Sequence, residues 1–559
     1  MENFGLSSAF IDKMISLFET CRGYASSREA AWRQCRRYGY QVWNPANSET
    51  PDSVYVPQQS SFAALCAWRA AMFLHANTVG VGQTFFRLDA DDALRKELGE
   101  DSRELRDLRD MTLPLMRELA DTNFSSAVGA ALNDETVLGT AVAYVEFNDV
   151  KRRLEFSSYQ VGTGCYLYSS SHGDADTFAR AFELTPKQAY SRYGKAVGDD
   201  VIEKALSDNL GDSRIEYLWL VYPRAVYGEK VGRATREVPM VSSREKAFGH
   251  LVIDRTRKRV VEVSGYDRFP FAVSVWSPLG GSIYGWGPIE MSMRDIKRMS
   301  KLQFCYSEAL DKQVDPAMIV PYSWDSFETS AGARNYVEAT GLVRDAFAVV
   351  EPQAQLPDIR SDMEMSMSNI QRNCLLDAFE TFDRETKTMS ATEARGRTGQ
   401  SVRAIASVAQ SVHNGLLSAL IQRSLDLLLE NGILGTELPE GVARERVRVK
   451  YVSVLASMVL DAETNKLRDF FGVVAEIANA RNSIGDLFDV HFDTDKVFAH
   501  LADFYSIPQD VIRSKDEREK KMRELQEQAM AAQAQQQENM ALNRVDPQTA
   551  GKMLGFAQQ

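Results

Sequence analysis

The sequence predicts an α+β protein, predominantly helical, from three changes of texture along its 559 residues. Residues 1–135 carry apolar side chains mainly at helical spacing. Residues 136–280 break into short β-branched and aromatic runs separated by Gly, Asp and Ser. Residues 283–430 return to helix, as two long patterns flanking a compact insert and a third following a polar loop. A chain this long exceeds one core, so two to four substructures are expected.

In the first region, Phe10, Met14, Leu17 and Phe18 share one face, and Trp32, Cys35 and Arg36 continue a second pattern. Asn44-Pro45-Ala46-Asn47-Ser48 interrupts it. An apolar helix over 60–77 holds Leu65, Trp68, Met72 and Phe73, and 103–119 is charged but periodic at Leu105, Leu108, Leu113 and Met116. Strands are expected at 141–147, 154–156, 165–168, 216–222, 259–263 and 271–276, giving a mixed, mostly antiparallel sheet domain. Between them Thr185-Pro186-Lys187-Gln188-Ala189 starts a short helix with proline in its first turn.

Gly285-Trp286-Gly287-Pro288 opens the first long helical pattern, which keeps Ile289, Met293, Ile296, Met299, Tyr306 and Leu310 in phase to about residue 313. Twenty-five such residues span about 40 Å at ~1.5 Å each. Residues 316–357 form the insert, strand-like at 317–320 and 347–350. The return pattern holds Ile359, Met363, Met367, Ile370, Cys374, Ala378 and Phe382. It breaks at Asp383-Arg384-Glu385-Thr386-Lys387-Thr388. Stripes this narrow suit long helices packed on a partner, and Met363, Met365 and Met367 read as adaptable packing rather than a cofactor box. Ser390-Ala391-Thr392-Glu393 fits a capping box that restarts helix through Val402, Ile405, Val408, Val412, Leu416 and Leu420. Gly396, Gly399 and Gly415 permit a kink in it, and Asn431-Gly432 ends it.

A strand is expected at 447–452, then helices over 461–480 and 494–505. Pro508 starts a last one, in which Glu517 with Lys521 and Glu519 with Arg523 are spaced for exposed pairs. The Gln/Ala-rich run after 528 is frayed helix or disorder when alone.

Net charge is −12, so no global basic field advertises nucleic acid, although an acidic conduit would let a polyanion pass without sticking. Six scattered cysteines without ligand spacing read as reduced, mostly buried thiols of a protein made in the cytosol. The N-terminus lacks the order of a signal peptide, and no apolar run reaches ~18 residues, so no membrane span is expected. No Walker A motif, dinucleotide loop or GxSxG elbow occurs. Asp89, Asp91 and Asp92 lack the glycine and glutamate of a calcium loop and read as a solvated turn. His491 and His500 lie among Asp489, Asp493 and Asp495, a weak metal constellation. No metal, no cofactor and no enzymatic activity are expected.

The order of three segments carries a resemblance. Tyr284-Gly285-Trp286-Gly287-Pro288 precedes a long helix, insert and return helix. Ser390-Ala391-Thr392-Glu393 opens another helix, with serine where the pattern has threonine, which preserves the capping chemistry. Ile507-Pro508-Gln509-Asp510-Val511-Ile512-Arg513-Ser514 then leads into a Gln/Ala-rich tail. Over nearly its whole length the chain resembles the head-to-tail connector (portal) proteins of short-tailed double-stranded DNA phages.

That resemblance implies a portal-type subunit in a dodecameric ring at one capsid vertex of the virion, synthesised in host cytoplasm, with DNA passing through an axial channel during packaging and ejection. It implies a wing over 1–280 (helical 1–135, sheet-rich 136–280), stem helices over 281–313 and 359–382, and a clip over 314–358. A tunnel loop over 383–390, a long kinked helix and return wing strand over 391–459, a crown over 460–510 and a C-terminal barrel helix or disordered tail over 511–559 complete it. Expected partners are further copies of the chain, the terminase large subunit, scaffolding protein, major capsid protein, tail adaptor and tail tube proteins, internal core proteins and double-stranded DNA in transit, with no membrane.

Three sets of residues follow. Asp383, Arg384, Glu385 and Lys387 form the tunnel loop, where the cations would touch phosphates independently of sequence. Pro316, Tyr322, Trp324, Phe327 and Tyr336 belong to the clip that meets motor and tail. Arg294, Lys297, Arg298 and Lys301 lie within two turns of the first arm. Residues 297–298 and 377–380 are about equally far from the insert, so Lys297 or Arg298 is expected to pair with Asp377 or Glu380, within or between subunits. The competing readings are a capsid scaffold or assembly protein without a channel and a nucleic-acid enzyme.

Overall fold

The computed structural model describes residues 2–40, 60–80, 84–99, 102–171, 173–206, 214–227, 246–314, 318–319, 348–349, 356–383, 405–435, 438–439, 441–452, 520–521, 523–524, 527 and 530–531. They fall in two units, Met1–Ala462 and Glu463–Gln559.

The N-terminal part of the first unit is helical: α1 (Ser8–Gly39), α2 (Phe62–Thr78), α3 (Asp92–Leu98), α4 (Arg103–Asp110), α5 (Thr112–Ala120) and α6 (Phe124–Leu138). Helix α1 starts where Ser7 accepts the Phe10 amide, and it buries Ile11, Met14, Phe18, Cys21, Ala25, Trp32 and Cys35. One strand, β1 (Phe86–Ala90), interrupts the helices and pairs with β12 (Val447–Tyr451) from far along the chain, Arg87 opposite Lys450 and Asp89 opposite Arg448. Phe86, Leu88, Ala90 and Val447 turn inward from this ribbon.

Two antiparallel sheets follow. The first has the order β3 (Arg153–Ser158), β2 (Thr140–Asn148), β9 (Phe271–Val275); the second runs β4 (Cys165–Tyr168), β5 (Thr177–Leu184), β6 (Ile215–Pro223), β7 (Phe248–Asp254), β8 (Arg259–Tyr266). Every described ladder is antiparallel, so the expected mixed sheet is replaced by two purely antiparallel ones. Aromatic rings fill the space where they meet: Phe178 stacks on Phe271 at 3.7 Å, and Trp219 lies edge-on to Tyr144 and Phe178. Helix α7 (Pro186–Tyr193) begins with a full capping box, Thr185 and Gln188 each serving the other's backbone, and α8 (Asp199–Leu206) follows.

After β9 the chain forms a two-helix arm, α9 (Met293–Val314) and α10 (Leu356–Asn373), continued by α11 (Leu376–Asp383). Between the arms, β10 (Met318–Ile319) pairs antiparallel with β11 (Ala348–Val349), within the two segments whose composition is strand-like. Helix α12 runs over 405–430 and holds a π-helical stretch at Val412–Leu417. Gly415 lies in that stretch. A Cβ there would collide with the Val273 carbonyl oxygen and press Ser274, so glycine lets the helix lie directly on β9. Ser411 completes the contact, its hydroxyl donating to the Val275 carbonyl at 2.8 Å and accepting the Val275 amide at 3.3 Å. The exposed edge of β9 is thereby capped. Asn431 and left-handed Gly432 end α12 as the sequence indicates.

The Asp89-Asp91-Asp92 cluster is not one solvated turn, since only Asp92 is exposed. Asp89 is buried on β1, where Arg95 bonds it, Lys450 lies at 3.1 Å and Arg109 at 3.7 Å, while Asp91 caps α3 by accepting the Leu94 amide at 2.7 Å. Neighbouring cations neutralise what three adjacent acids in sequence suggest must be hydrated. All six cysteines are free, and all but Cys305 are buried. In the second unit, helical residues include Lys521, which pairs with Glu524 at 2.8 Å. The expected partners Glu517 and Glu519, the capping box at 390–393, the crown and the constellation around His491 and His500 lie outside the described residues.

Candidate functional site

The arm is joined to the sheets through three glycines. Helix α6 ends at Gly139, which is left-handed at φ 80°. The chain at Gly285 and Gly287 crosses it so closely that a Cβ on Gly287 would sit 2.7 Å from the Gly139 nitrogen, and one on Gly139 would sit 2.5 Å from the Gly287 nitrogen. Gly285 donates its amide to Thr140 Oγ1 at 3.0 Å, and Trp286 donates to the Ser277 carbonyl at 2.8 Å. Tyr284 stands beside this crossing, fully buried against Trp32, with its hydroxyl bonded to both the amide and the carbonyl of Leu167. The Tyr-Gly-Trp-Gly-Pro string is thus a joint: aromatic anchor, two close-approach positions, and Pro288 to begin a helical turn at Pro288–Met291.

Arg28 of α1 clamps the turn. Its guanidinium donates to both Glu290 oxygens, at 2.9 and 2.7 Å, and to the Gly285 carbonyl at 3.1 Å. The side chains are only 17% and 14% exposed, so this fork is shielded from the water that weakens surface pairs. Sequence reasoning missed Arg28, Glu290 and Gly139. The helix-ending position of Gly139 before a strand was the available signal.

Beyond the joint α9 runs about 33 Å at ~1.5 Å per residue, antiparallel to α10. Their register is fixed by Asn373 donating to Ser292 at 3.0 Å, Asn369 donating to Asp295 at 3.3 Å, and Arg298 bridging to Asp362 at 2.7 Å. Among the described side chains neither Lys297 nor Arg298 pairs with Asp377, and the Glu380 side chain lies outside the described residues. Lys297 donates to Gln34 at 2.7 Å, and Asp377 pairs with Arg372 at 3.7 Å. Counting from the insert misplaced the register because the two arms are not equally long measured from it: Lys297 lies opposite the 362–369 stretch of α10, short of 377. Leu375 adopts φ 58°, left-handed for a branched residue, and α11 turns aside to stack Phe379 on Phe73 of α2 at 4.0 Å.

Arg294, Lys297, Arg298 and Lys301 form an exposed basic stripe on α9. Near the joint, α9 buries Ile296, Met299 and Ser300. The Ile296–Ser300 face continues outward through large apolar side chains that stand exposed: Phe304 is 41%, Leu310 42% and Val314 78% exposed, with Met365 of α10 at 53%. Asp383 is the last residue of α11, while Arg384, Glu385 and Lys387 of the expected tunnel loop lie outside the described residues. So do Pro316, Tyr322, Trp324, Phe327 and Tyr336 of the expected clip. Among the described residues no three His, Cys, Asp or Glu side chains are grouped to hold a metal ion, and no helix is long and apolar enough to cross a membrane.

Polar side chains here serve joints and faces, and the arm carries large exposed apolar side chains. Comparison with known proteins supplies the class. The chain belongs to the bacteriophage head to tail connecting protein family, which it matches over residues 12–512. It is 23% identical over 403 residues to a probable portal protein of Bordetella phage BPP-1, covering 70% of each chain. To a portal protein of Salmonella phage epsilon15 it is 20% identical over 383 residues, covering 66% of each. The chain is a phage portal-type, head-to-tail connector protein.

Proposed function

We propose that twelve copies form a closed ring at one vertex of the capsid, with a central channel through which DNA is packaged and ejected. In this reading the helices and sheets of 1–280 are the wing, α9 and α10 the stem, 314–358 the clip that meets the terminase motor and then the tail, and 383–390 the tunnel loop. The family membership supports the connector role, and the structure adds the observation that carries lateral association. The stripe that begins as buried Ile296 and Ser300 runs on as exposed Phe304, Leu310 and Val314. Fully burying an exposed side chain of this kind stabilises contact by about 1.5–3 kcal/mol; Val314 would gain most of that, and Phe304 and Leu310, already more than half covered, under half. The basic stripe of Arg294, Lys297 and Lys301 then faces the Asp377–Glu380 end of the next copy, steering its orientation.

Electron microscopy of the purified protein tests this, at low and high salt and with Leu310→Glu beside the wild type. Closed rings with a central hole, weakened by salt and lost in the variant, are expected. A stable monomer at every ionic strength refutes the ring. Amorphous shells place the chain among scaffolds instead.

A further inference from the structure

Glu135, one turn before Gly139 on α6, is fully buried. The Ser274 hydroxyl of β9 donates to its Oε2 at 2.6 Å, and its Oε1 has no hydrogen-bond partner among the described residues. None of those residues offers it a compensating charge. Asp134 beside it is bonded to Tyr40, Ser158 and Gln160. From α1, Arg36 is bonded to the carbonyls of Val161 and Gly162, and from α2, His75 is bonded to Ser125. Glu290 of the turn is held by Arg28, and His413 of α12 stacks on Tyr451. Cys35 and Cys66 are buried thiols pushed up to about 12 and about 11 by desolvation. None of these groups is bonded to Glu135.

We infer that the joint is proton-linked: Glu135 is a neutral carboxylic acid in the folded chain, and its ionisation opens the contact among α6, β9 and the π-helical stretch of α12. An isolated buried carboxylate with one neutral hydrogen bond is strongly disfavoured, whereas the protonated acid carries no charge to desolvate and still accepts the Ser274 hydroxyl. The backbones near this carboxyl are closely packed, Gly415 against Ser274 and Gly139 against Gly287, at distances that exclude a Cβ. Hydrating an ionised Glu135 would require them to part. Burial pushes the Glu135 carboxyl up to about 8, opposed only by the Ser274 hydrogen bond.

The sign follows from proton counting. Below the ordinary carboxylate value of 4.5 both folded and unfolded chains hold the proton. Between there and about 8 the folded chain holds one proton more, so stability falls as pH rises, and above that range the dependence ends. One proton is worth about tenfold in the folding equilibrium per pH unit. The inference stands whether or not copies assemble into rings.

The test is equilibrium unfolding of the full chain between pH 5 and 9, wild type against Glu135→Gln. Because Asp134, pushed up to about 6 by burial, titrates in the same range, the difference between the two proteins is what counts. The glutamine variant is expected to gain on the wild type by up to tenfold per pH unit across pH 5–8. Amides at 135–139 and 274–275 should also exchange faster in the wild type as pH rises, beyond the intrinsic increase. A difference independent of pH overturns the inference. Should the glutamine variant not fold, Ser274→Ala, which removes the lone hydrogen bond to the carboxylate, is expected to extend the falling limb to higher pH; a wild-type profile in that variant overturns it equally.

Discussion

Changing Asp89 to asparagine removes the negative charge that Arg95, Arg109 and Lys450 share where β1 meets β12. Asp89 is 1% exposed, and the three cations are 19%, 12% and 44% exposed, so two of them cannot turn fully to water once the carboxylate is gone. Breaking a buried pair of this kind costs about 3–5 kcal/mol; with Lys450 half in solvent the lower end applies, about 3 kcal/mol. Lys450 is itself a β12 residue and Asp89 lies opposite Arg448 of that strand, so the loss falls on strand pairing. At 1.4 kcal/mol per decade, opening of β12 should rise about a hundredfold, read as faster amide exchange across 447–451. Acid should do the same to the wild type. Burial pushes the Asp89 carboxyl up, but Arg95, Lys450 and Arg109 more than reverse it, leaving it below the usual range. Its stabilisation is full above the unfolded carboxylate value and is lost as pH falls through the lowered one. The asparagine variant should show no such acid limb at β12. Unchanged exchange at 447–451 in the variant would sink the reasoning that these charges hold the strand.

Two further outcomes are expected. Gly415→Ala places a methyl against the Val273 carbonyl and should destabilise the first unit by about 1–3 kcal/mol, seen as a lower denaturant midpoint with unchanged slope; an unaltered midpoint would mean α12 does not rest on β9. A maleimide should label the native chain at Cys305 alone, because Cys21, Cys35 and Cys165 are buried with thiols pushed up to about 12 by desolvation, and Cys66 and Cys374 are likewise shielded. Labelling of those five without unfolding would contradict the burial.

Much of the fold was legible because local pattern and tertiary demand agree. Cys165–Tyr168 is the strand its short aromatic-rich run predicts, and Thr185-Pro186 starts the short helix with proline in its first turn. Asn431-Gly432 ends its helix for the same reason. The misses are places where distant chain decides. Phe248–Asp254 contains Gly249 and His250, weak strand formers that persist because β6 and β8 pair with both sides. Phe86–Ala90 is a strand only because Val447–Tyr451 returns to it, and the same pairing turns Asp89 from an apparent surface acid into a buried one. In the arm, helix periodicity gave the existence of both helices but not their register. The register is set by polar pairs between distant residues, Asn373 with Ser292 and Arg298 with Asp362, and the turn at left-handed Leu375 that diverts α11 carries no signature in a leucine. The joint was half visible: Gly285 and Gly287 stood out in the Tyr-Gly-Trp-Gly-Pro string, while Gly139, which they cross, lies more than a hundred positions away.

The pairing of β1 with β12 has a topological consequence. The stretch from 293 to 383 leaves a body that is fastened both before it and after it, so the distal segment is a closed excursion with two roots. Lengthening or exchanging its outer end adds chain only between α9 and α10, and loop closure grows slowly with length, about 0.6 kcal/mol per doubling. Lineages can therefore refit that end to new partners while the foundation keeps its form.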